Sequence, residues 1–431
     1  MNPLSIAEAA ARHPQRLAVV CDQRAWTYAQ LARQVGSVTE LDSLFAPTAL
    51  PTPKTLVALY AAVDRGIPVA PLAPELPASE RNRLRKQLSG GPIPEHTLAI
   101  LFTSGTTGEP KGAVLPRSAF LASARACFAH LDWRAGERWL CPLSLARIGG
   151  LAVVIRCLLG GGTAVLTTRV QGSDLRQAID EGATLASLVP VQLERLLEDP
   201  SWTPPSHLRA VLVGGGPTRS ALLELARDRG LPALTTYGST ETCAMVATAP
   251  LDRPTPPGSA GCILPGIAVD LDDHGSITVD GPTLMTGYFG EPPRSGPYST
   301  GDRGHIDGEW LYVTGRIDDR IDSGGARIDP LTVEAELLSH PAIADACAFG
   351  LPDPTWGQIV AAIVVPAAAI GEAEMVAAVR SIASRLPGSH RPRRIIVAPE
   401  IPRSDAGKRS RQLLAKAAHG PWIPIRYGAQ T

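Results

Sequence analysis

The sequence predicts an α/β protein, with a large N-terminal domain of parallel-rich sheets flanked by helices and a small α+β C-terminal domain. Three observations carry this. From Leu17 to Val213, short apolar runs of strand length alternate with stretches of helical periodicity, the pattern of parallel strands joined by helical crossovers. The 41 glycines and 40 prolines in 431 residues fall mostly between those runs, as loop punctuation. From Asp319 onward the chain reads as a compact α+β unit, long enough to bury a core of its own.

Taken in order, Ser5–Arg12 reads as a short helix and Leu17–Cys21 as a strand. Trp26-Thr27-Tyr28 leads into a helix at Ala29–Val35, and Phe45–Thr52 is Pro- and Ala-rich loop. Thr55–Asp64 has helical spacing, Gly66–Leu72 reads as a strand, and Ser79–Leu88 as a charged helix. Strands are expected at Thr97–Phe102, Ala113–Leu115, Leu140–Pro142, Thr163–Thr167, Leu185–Val189 and Ala210–Val213. Helices are expected at Ser118–Leu131, Gly149–Leu159, Val191–Leu197 and Ser220–Arg229. The C-terminal part adds helix Leu331–Ser339, strands Ile343–Phe349 and Ile359–Val365, helix Glu372–Arg385, strand Arg394–Val397 and a last helix near Arg411–Ala417.

Composition narrows the function classes. Forty-one basic residues balance 41 acidic ones, so no global field favours nucleic acid or an acidic membrane surface. The seven cysteines are scattered without a Cys-x-x-Cys pair, which fits reduced thiols in a cytoplasmic protein, and the nine histidines lack metal-ligand spacing. The opening Met1–His13 segment lacks the apolar core of a signal peptide, and the most apolar stretches, interrupted by Arg156 and Pro366, fall short of a membrane span.

Leu101–Gly112 reads Leu-Phe-Thr-Ser-Gly-Thr-Thr-Gly-Glu-Pro-Lys-Gly, a polar glycine-rich loop between apolar runs. Glycines at 105 and 108 let backbone N–H groups approach an anion, the hydroxyls of Thr103, Ser104, Thr106 and Thr107 can donate to phosphate oxygens, and Lys111 adds a mobile charge. A Walker A loop is excluded, because Lys111 is preceded by proline and followed by glycine instead of Ser or Thr. A polyphosphate-wrapping loop and a flexible Gly/Thr turn both remain open on these residues alone.

Further along, Gly214-Gly215-Gly216-Pro217 sits between a strand and a helix and reads as an ordinary turn. In Tyr237-Gly238-Ser239-Thr240-Glu241-Thr242, an aromatic ring that could stack on a base, hydroxyls for phosphate and a carboxylate for Mg²⁺ follow one another, although an exposed polar turn would look the same. Asp302, in Tyr298-Ser299-Thr300-Gly301-Asp302, is a carboxylate on a tight turn, suited to ribose hydroxyls or simply to making the turn.

The full Thr-Ser-Gly-Thr-Thr-Gly-x-Pro-Lys-Gly string resembles the phosphate loop of the adenylate-forming superfamily of acyl-CoA synthetases, aryl-CoA ligases, luciferases and adenylation domains. The other motifs follow in that family's order up to Lys408, so the resemblance covers nearly the whole chain. It implies ATP, Mg²⁺, coenzyme A and a small carboxylic acid as ligands. Thr103 to Lys111, including Gly105 and Gly108, would wrap the phosphates, with Thr106 and Glu241 on the metal. Gly215 and Gly216 would border the adenine pocket, with Tyr237, Gly238, Ser239 and Thr240 lining the nucleotide site. Asp302 would hold the ribose and Arg316 the ribose or phosphate region. Leu311–Ile321 resembles the family's hinge, with Asp318 at the hinge position, which implies an AMP-binding domain over 1–317 and a mobile lid over 318–431. Gly324, Gly325 and Arg327 resemble the loop along the CoA thiol tunnel. Pro402-Arg403-Ser404-Asp405-Ala406-Gly407-Lys408 resembles the catalytic lysine loop, and arginines around it, from Arg380 to Arg411, could hold CoA phosphates or form a solvated face.

The implied reaction has two steps, acyl-adenylate formation and then thioester formation after the lid swings. Pro142–Leu151 and Ser187–Leu193 look most like the o-succinylbenzoate-CoA ligases of menaquinone synthesis, with Arg147, Gly149 and Gly238 at the acyl pocket. Arg147 is a departure, since those enzymes usually carry histidine there. Another aryl- or acyl-CoA ligase, a carrier-protein-loading adenylation enzyme and a nucleotide-binding pseudoenzyme are the alternatives; the last is disfavoured because Lys111, Glu241, Asp302, Arg316 and Lys408 are all present. Oligomeric state is left open, a homodimer among the options.

Overall fold

The computed structural model describes residues 2–21, 24–104, 109–402, 411, 414–415 and 421–427. Among them the chain forms two compact units, one of residues 1–270, 278–300 and 306–312, the other of residues 271–277, 301–305 and 313–431. No helix of the described residues is long and apolar enough to cross a membrane.

The first unit is built on parallel strands in the order Ala233–Ser239, Ala210–Val213, Leu185–Leu188, Arg138–Cys141, Thr163–Leu166 and Leu17–Cys21. Every neighbouring pair in that series is parallel. Ala-Val-Leu-Val at 210–213 is buried throughout, as expected of strands covered by helices on both faces. Leu140, Leu188, Val211 and Val213 pack there against Leu175, Leu193 and Leu222 from the crossover helices. Antiparallel strands extend one edge: Ala244–Thr248 pairs with Ala233–Ser239, and Ser259–Ile263 with Ala244–Thr248. A separate three-stranded antiparallel sheet joins Thr97–Ser104, Pro110–Pro116 and Gly287–Tyr288.

Local chemistry sets the helix ends. Thr52 caps the Pro53–Arg65 helix by accepting from the Thr55 N–H, proline occupies the first turn, and Gly66 closes the helix at φ +74°. Gly161, at φ +62°, ends the Ile148–Gly160 helix in the same way.

The expected strand at Gly66–Leu72 is absent as a continuous element. Only isolated bridges form, Phe45 to Val69, Thr48 to Leu72 and Val69 to Ala99. Pro68 and Pro71 lack the N–H groups that a continuous ladder needs.

The second unit has a long antiparallel hairpin, Ile343–Asp353 with Gly357–Pro366, to which Arg394–Val397 adds in parallel. The first hairpin strand runs beyond Phe349 because pairing continues to Asp353 opposite Gly357. Helices Pro330–Leu338 and Glu372–Ala383 supply Val333, Leu337, Met375 and Val379 to the core of this unit. Of the expected last helix, Arg411, Leu414 and Ala415 are described, and all three are helical.

Candidate active site

In the first unit the parallel strands all end on one edge of the sheet, where open α/β sheets bind ligands. Arg147 and Gly149 follow the strand ending at Cys141, Gly214–Gly216 follows Val213, and Tyr237–Ser239 finishes the next strand. Gly214 lies tight against its neighbour, since a Cβ there would stand 2.7 Å from Thr236 Cγ2; Gly215 has φ +81°, and Gly216 faces open space. One sheet edge thus gathers three stretches singled out from sequence.

The turn after Tyr237 is wound tightly. A Cβ on Gly238 would fall 1.6 Å from the Ala244 carbonyl oxygen, so no other residue fits without moving backbone. The Ser239 N–H donates to Thr242 Oγ1 at 2.9 Å and the Cys243 N–H to the Thr240 carbonyl at 3.0 Å. Cys243 and Ala244 then adopt φ +52° and +85°, unusual for residues with a Cβ.

This turn delivers Glu241, which is buried at 8% exposure rather than lying on an exposed polar turn. Two hydroxyls donate to its Oε1, that of Thr103 at 3.3 Å and that of Tyr288 at 3.1 Å. Its backbone carbonyl accepts from the Met285 N–H at 2.8 Å. Among the described residues neither a cation nor a donor to Oε2 accompanies the carboxylate. Burial, and next the charge of Glu241, push the Tyr288 hydroxyl up to about 12, so it stays a donor across the neutral range.

Lys111 lies over the Tyr288 ring. Its Nζ is 2.9 Å from Glu291 Oε1 and 5.0 Å from the Tyr288 ring centroid. Lys111, Tyr288 and Glu291 line a 330 Å³ pocket with Gln87, Glu109 and Phe289. Both members of the Lys111–Glu291 pair are over 40% exposed, and such pairs contribute about 0–1 kcal/mol, so a phosphate can take the lysine over. Ser104 ends the Thr97–Ser104 strand; Gly105, Thr106, Thr107 and Gly108 lie outside the described residues.

Tyr288 and Glu291 had no signal in the sequence. They reach the site because Gly287–Tyr288 pairs with Ala113–Val114, next to the glycine-rich loop. Replacing Tyr288 by Phe removes one of the two hydroxyls on Glu241 Oε1 and leaves the other, so we expect about a fivefold lower kcat/KM for ATP, roughly 1 kcal/mol, the size of an ordinary hydrogen bond. Pyrophosphate release measures this; an unchanged value would remove the hydroxyl from the site's function.

In the second unit, Asp302 lies within the strand Tyr298–Asp307 and not on a free tight turn. The backbone bends at Gly301, φ +74°, where a Cβ would meet Arg316 Nη2 at 2.8 Å. Arg316 links two carboxylates, Asp302 at 3.2 Å and Asp318 at 3.4 Å. Gly324 and Gly325, at φ +58° and +84°, make the turn between the short strands Ile321–Ser323 and Ala326–Ile328. Gly324 backs onto the Trp356 ring, and Arg327 is an exposed side chain 4.0 Å from Asp322.

Lys408 lies outside the described residues, as do Arg403 and Arg409. Arg411 is neither solvated nor free for phosphate: it is 12% exposed and pairs with Asp319 and Glu334, both at 2.8 Å, while its Nε reaches the Ala348 carbonyl at 3.1 Å.

All seven cysteines are buried and unbridged. No group of three or more His, Cys, Asp or Glu side chains among the described residues could hold a metal alone. A dication at Glu241 would therefore take most of its oxygens from a nucleotide, the mode usual for Mg²⁺. A buried carboxylate with one unengaged oxygen and no cation fits that demand.

Residues 85–289 match the AMP-binding enzyme family and residues 332–408 the AMP-binding enzyme C-terminal domain. The 2-succinylbenzoate–CoA ligase of Bacillus mycoides (strain KBAB4) is 36% identical over 341 residues, 75% of this chain and 70% of that protein. For the ligase of the same description from Bacillus cereus (strain ATCC 14579), identity is 38% over 301 residues, and the match spans 62% of that protein's length. The o-succinylbenzoate CoA synthetase of Bacillus subtilis, solved with the acyl-adenylate intermediate OSB-AMP, superposes with a TM-score of 0.84 at 28% identity, covering 96% of this chain and 97% of that one. Its complex with ATP and magnesium ion superposes with a TM-score of 0.83. With both domain families matched in order and a relative 36% identical over 70% of its length, the chain belongs to the family of AMP-binding enzymes.

Proposed function

We propose that the chain is an ATP-dependent acid–thiol ligase that activates 2-succinylbenzoate, or an aryl keto acid closely like it, as its adenylate and passes the acyl group to coenzyme A. The observation that carries this reading is Glu241, a buried carboxylate held by the hydroxyls of Thr103 and Tyr288 at the base of the phosphate loop. The names of the Bacillus relatives and the acyl-adenylate complex of the B. subtilis synthetase support the choice of acid.

In the first step a substrate carboxylate oxygen attacks the α-phosphorus of ATP. A P–O bond forms to the acid, the bond to the β-phosphate breaks, and pyrophosphate leaves. Thr103 and Ser104, with Gly105, Thr106, Thr107 and Gly108, are assigned to the phosphates, and Lys111 and Lys408 to the charge that spreads over them in flight. Glu241 and Thr106 would hold magnesium, which would supply charge neutralisation at the phosphates. Tyr237 and Gly214–Gly216 are assigned to the base, Asp302 and Arg316 to the ribose. In the second step the CoA thiol gives up its proton and its sulfur forms a C–S bond at the acyl carbonyl, while the acyl C–O bond breaks and AMP leaves with that oxygen. Gly324, Gly325 and Arg327 are assigned to the thiol's approach, and Asp318 to the hinge between an AMP-binding domain of residues 1–317 and a lid of residues 318–431 that exchanges the two steps.

Glu241→Gln should raise the magnesium concentration for half-maximal pyrophosphate release about 10- to 30-fold, because a neutral amide is a poorer ligand for a hard dication. An unchanged magnesium dependence would take Glu241 out of the metal site. The function is tested by incubating the protein with ATP, Mg²⁺, a carboxylic-acid panel and either CoA or a pantetheinylated carrier protein, with thioesters read by mass spectrometry. Formation of 2-succinylbenzoyl-CoA is expected. Preference for an unrelated acid overturns the substrate, transfer only to the carrier overturns the acceptor, and no pyrophosphate from any acid overturns the ligase.

A further inference from the structure

Beneath the Glu241 turn lies a charged side chain that the reaction as described does not use. Arg156 interrupts the apolar Ile148–Gly160 helix and is buried at 4% exposure. No carboxylate among the described residues pairs with it. Its Nη2 donates to Ser123 Oγ at 3.0 Å, its Nη1 points at Met245 Sδ at 3.2 Å, and its Nε has no partner. The guanidinium carbon lies 5.7 Å from the Trp139 ring centroid. Burying a cation against a hydroxyl, a thioether and a ring is unfavourable; even paired buried ions can often be exchanged for apolar side chains at no loss of stability. Packing therefore does not account for an arginine here.

The contacts lead to the turn. Ser123, itself 3% exposed, donates its hydroxyl to the Cys243 carbonyl at 2.7 Å. Cys243 and Ala244 are the two residues held at positive φ, immediately after Glu241-Thr242, and Met245 follows them. Arg156 thus grips the strained segment at two points, the Cys243 carbonyl through Ser123 and the Met245 sulfur directly. A backbone conformation that costs energy persists only where its surroundings over-determine it. On the far side, the Ala244 carbonyl abuts Gly238 and leaves the segment no room to relax that way.

We propose that Arg156, through Ser123, is a positioning residue that holds the Cys243–Ala244 kink and so aims the Glu241 carboxylate at the magnesium of ATP. This rests on the assignment of Glu241 to that metal. A positioning role of this kind trades stability for geometry. Arg156→Met fills the same space without a charge, so the folded protein should melt at the same temperature or higher while its use of magnesium worsens.

The test compares Arg156→Met, Arg156→Lys, Ser123→Ala and Glu241→Gln. Each is measured for melting temperature without ligand, for calorimetric affinity toward a non-hydrolysable ATP analogue as a function of magnesium, and for pyrophosphate release. Arg156→Met and Ser123→Ala should each weaken magnesium-dependent nucleotide binding about tenfold, the lower end of what loss of outer-sphere support costs. Arg156→Lys should recover part of it. Magnesium dependence unchanged in folded Arg156→Met and Ser123→Ala, with Glu241→Gln impaired, overturns the positioning role while leaving Glu241 in place. An unimpaired Glu241→Gln instead overturns the underlying metal assignment. If Arg156→Met fails to fold, Arg156 is structural and the proposal falls unless Ser123→Ala, folded, shows the magnesium defect.

Discussion

Lys408→Ala is expected to lower adenylate formation by about 10²- to 10³-fold, the loss typical of removing one preorganised donor from developing charge. Thioester formation from presynthesised 2-succinylbenzoyl-adenylate should stay within about twofold, because a lysine needed only while the α-phosphate is attacked contributes nothing once the P–O bond exists. The melting temperature of the variant, measured alongside, separates a folding defect from a catalytic one. Three residues on, Arg411 is pinned by Asp319, Glu334 and the Ala348 carbonyl, in a unit whose core is supplied by other elements. Those contacts are made by the Arg411 side chain itself, and the melting temperature of the variant checks that they persist. Pyrophosphate release and CoA-dependent consumption of the adenylate, measured separately, decide the matter. Equal losses in both half-reactions would count against a lid that serves one step at a time.

What the sequence made legible was whatever is written locally. The strand–helix alternation, the glycine-rich loop and the Tyr237–Thr242 turn are contiguous strings whose chemistry follows from the residues themselves. Two kinds of feature stayed hidden. Tyr288 and Glu291 join the site through pairing between Gly287–Tyr288 and Ala113–Val114, and no local pattern encodes a register between segments so far apart. Arg156 could be seen only as a break in an apolar helix, since its meaning depends on Ser123 and Met245 in two other elements. The Gly66–Leu72 strand failed for the opposite reason: a short apolar run suggested pairing that Pro68 and Pro71 deny. For Asp302 the glycine before it suggested a tight turn, whereas Gly301 only bends a continuing strand.

Arg147→Ala is expected to reduce kcat/KM roughly 10- to 150-fold for a dicarboxylic aryl acid, which is the loss of a hydrogen bond to a charged group worth about 1.5–3 kcal/mol. A matched keto acid with a single carboxylate should lose little. The backbone of Arg147 is fixed: its N–H donates to the Ser144 carbonyl at 3.0 Å and its own carbonyl accepts from Gly150 and Leu151 at 3.1 and 3.0 Å. It occupies the N-cap of the Ile148–Gly160 helix, flanked by buried Ala146 and Ile148. Arg147 is partly buried as a residue and its guanidinium has no hydrogen bond or ion pair among the described residues, so the alternative of a protein carboxylate as its partner finds no support there. A helix N-terminus carries partial positive charge and disfavours a cation, which makes an unpaired arginine at this cap costly on two counts. An anionic group of the ligand answers both, and a guanidinium grips a carboxylate through two parallel hydrogen bonds, a geometry the histidine of the resembling enzymes cannot offer. Arg147→Lys should therefore restore charge but not the bidentate fit, leaving an intermediate loss for the dicarboxylate. Equal losses for both acids, or none for either, would make Arg147 structural and remove the local support for a second carboxylate on the substrate.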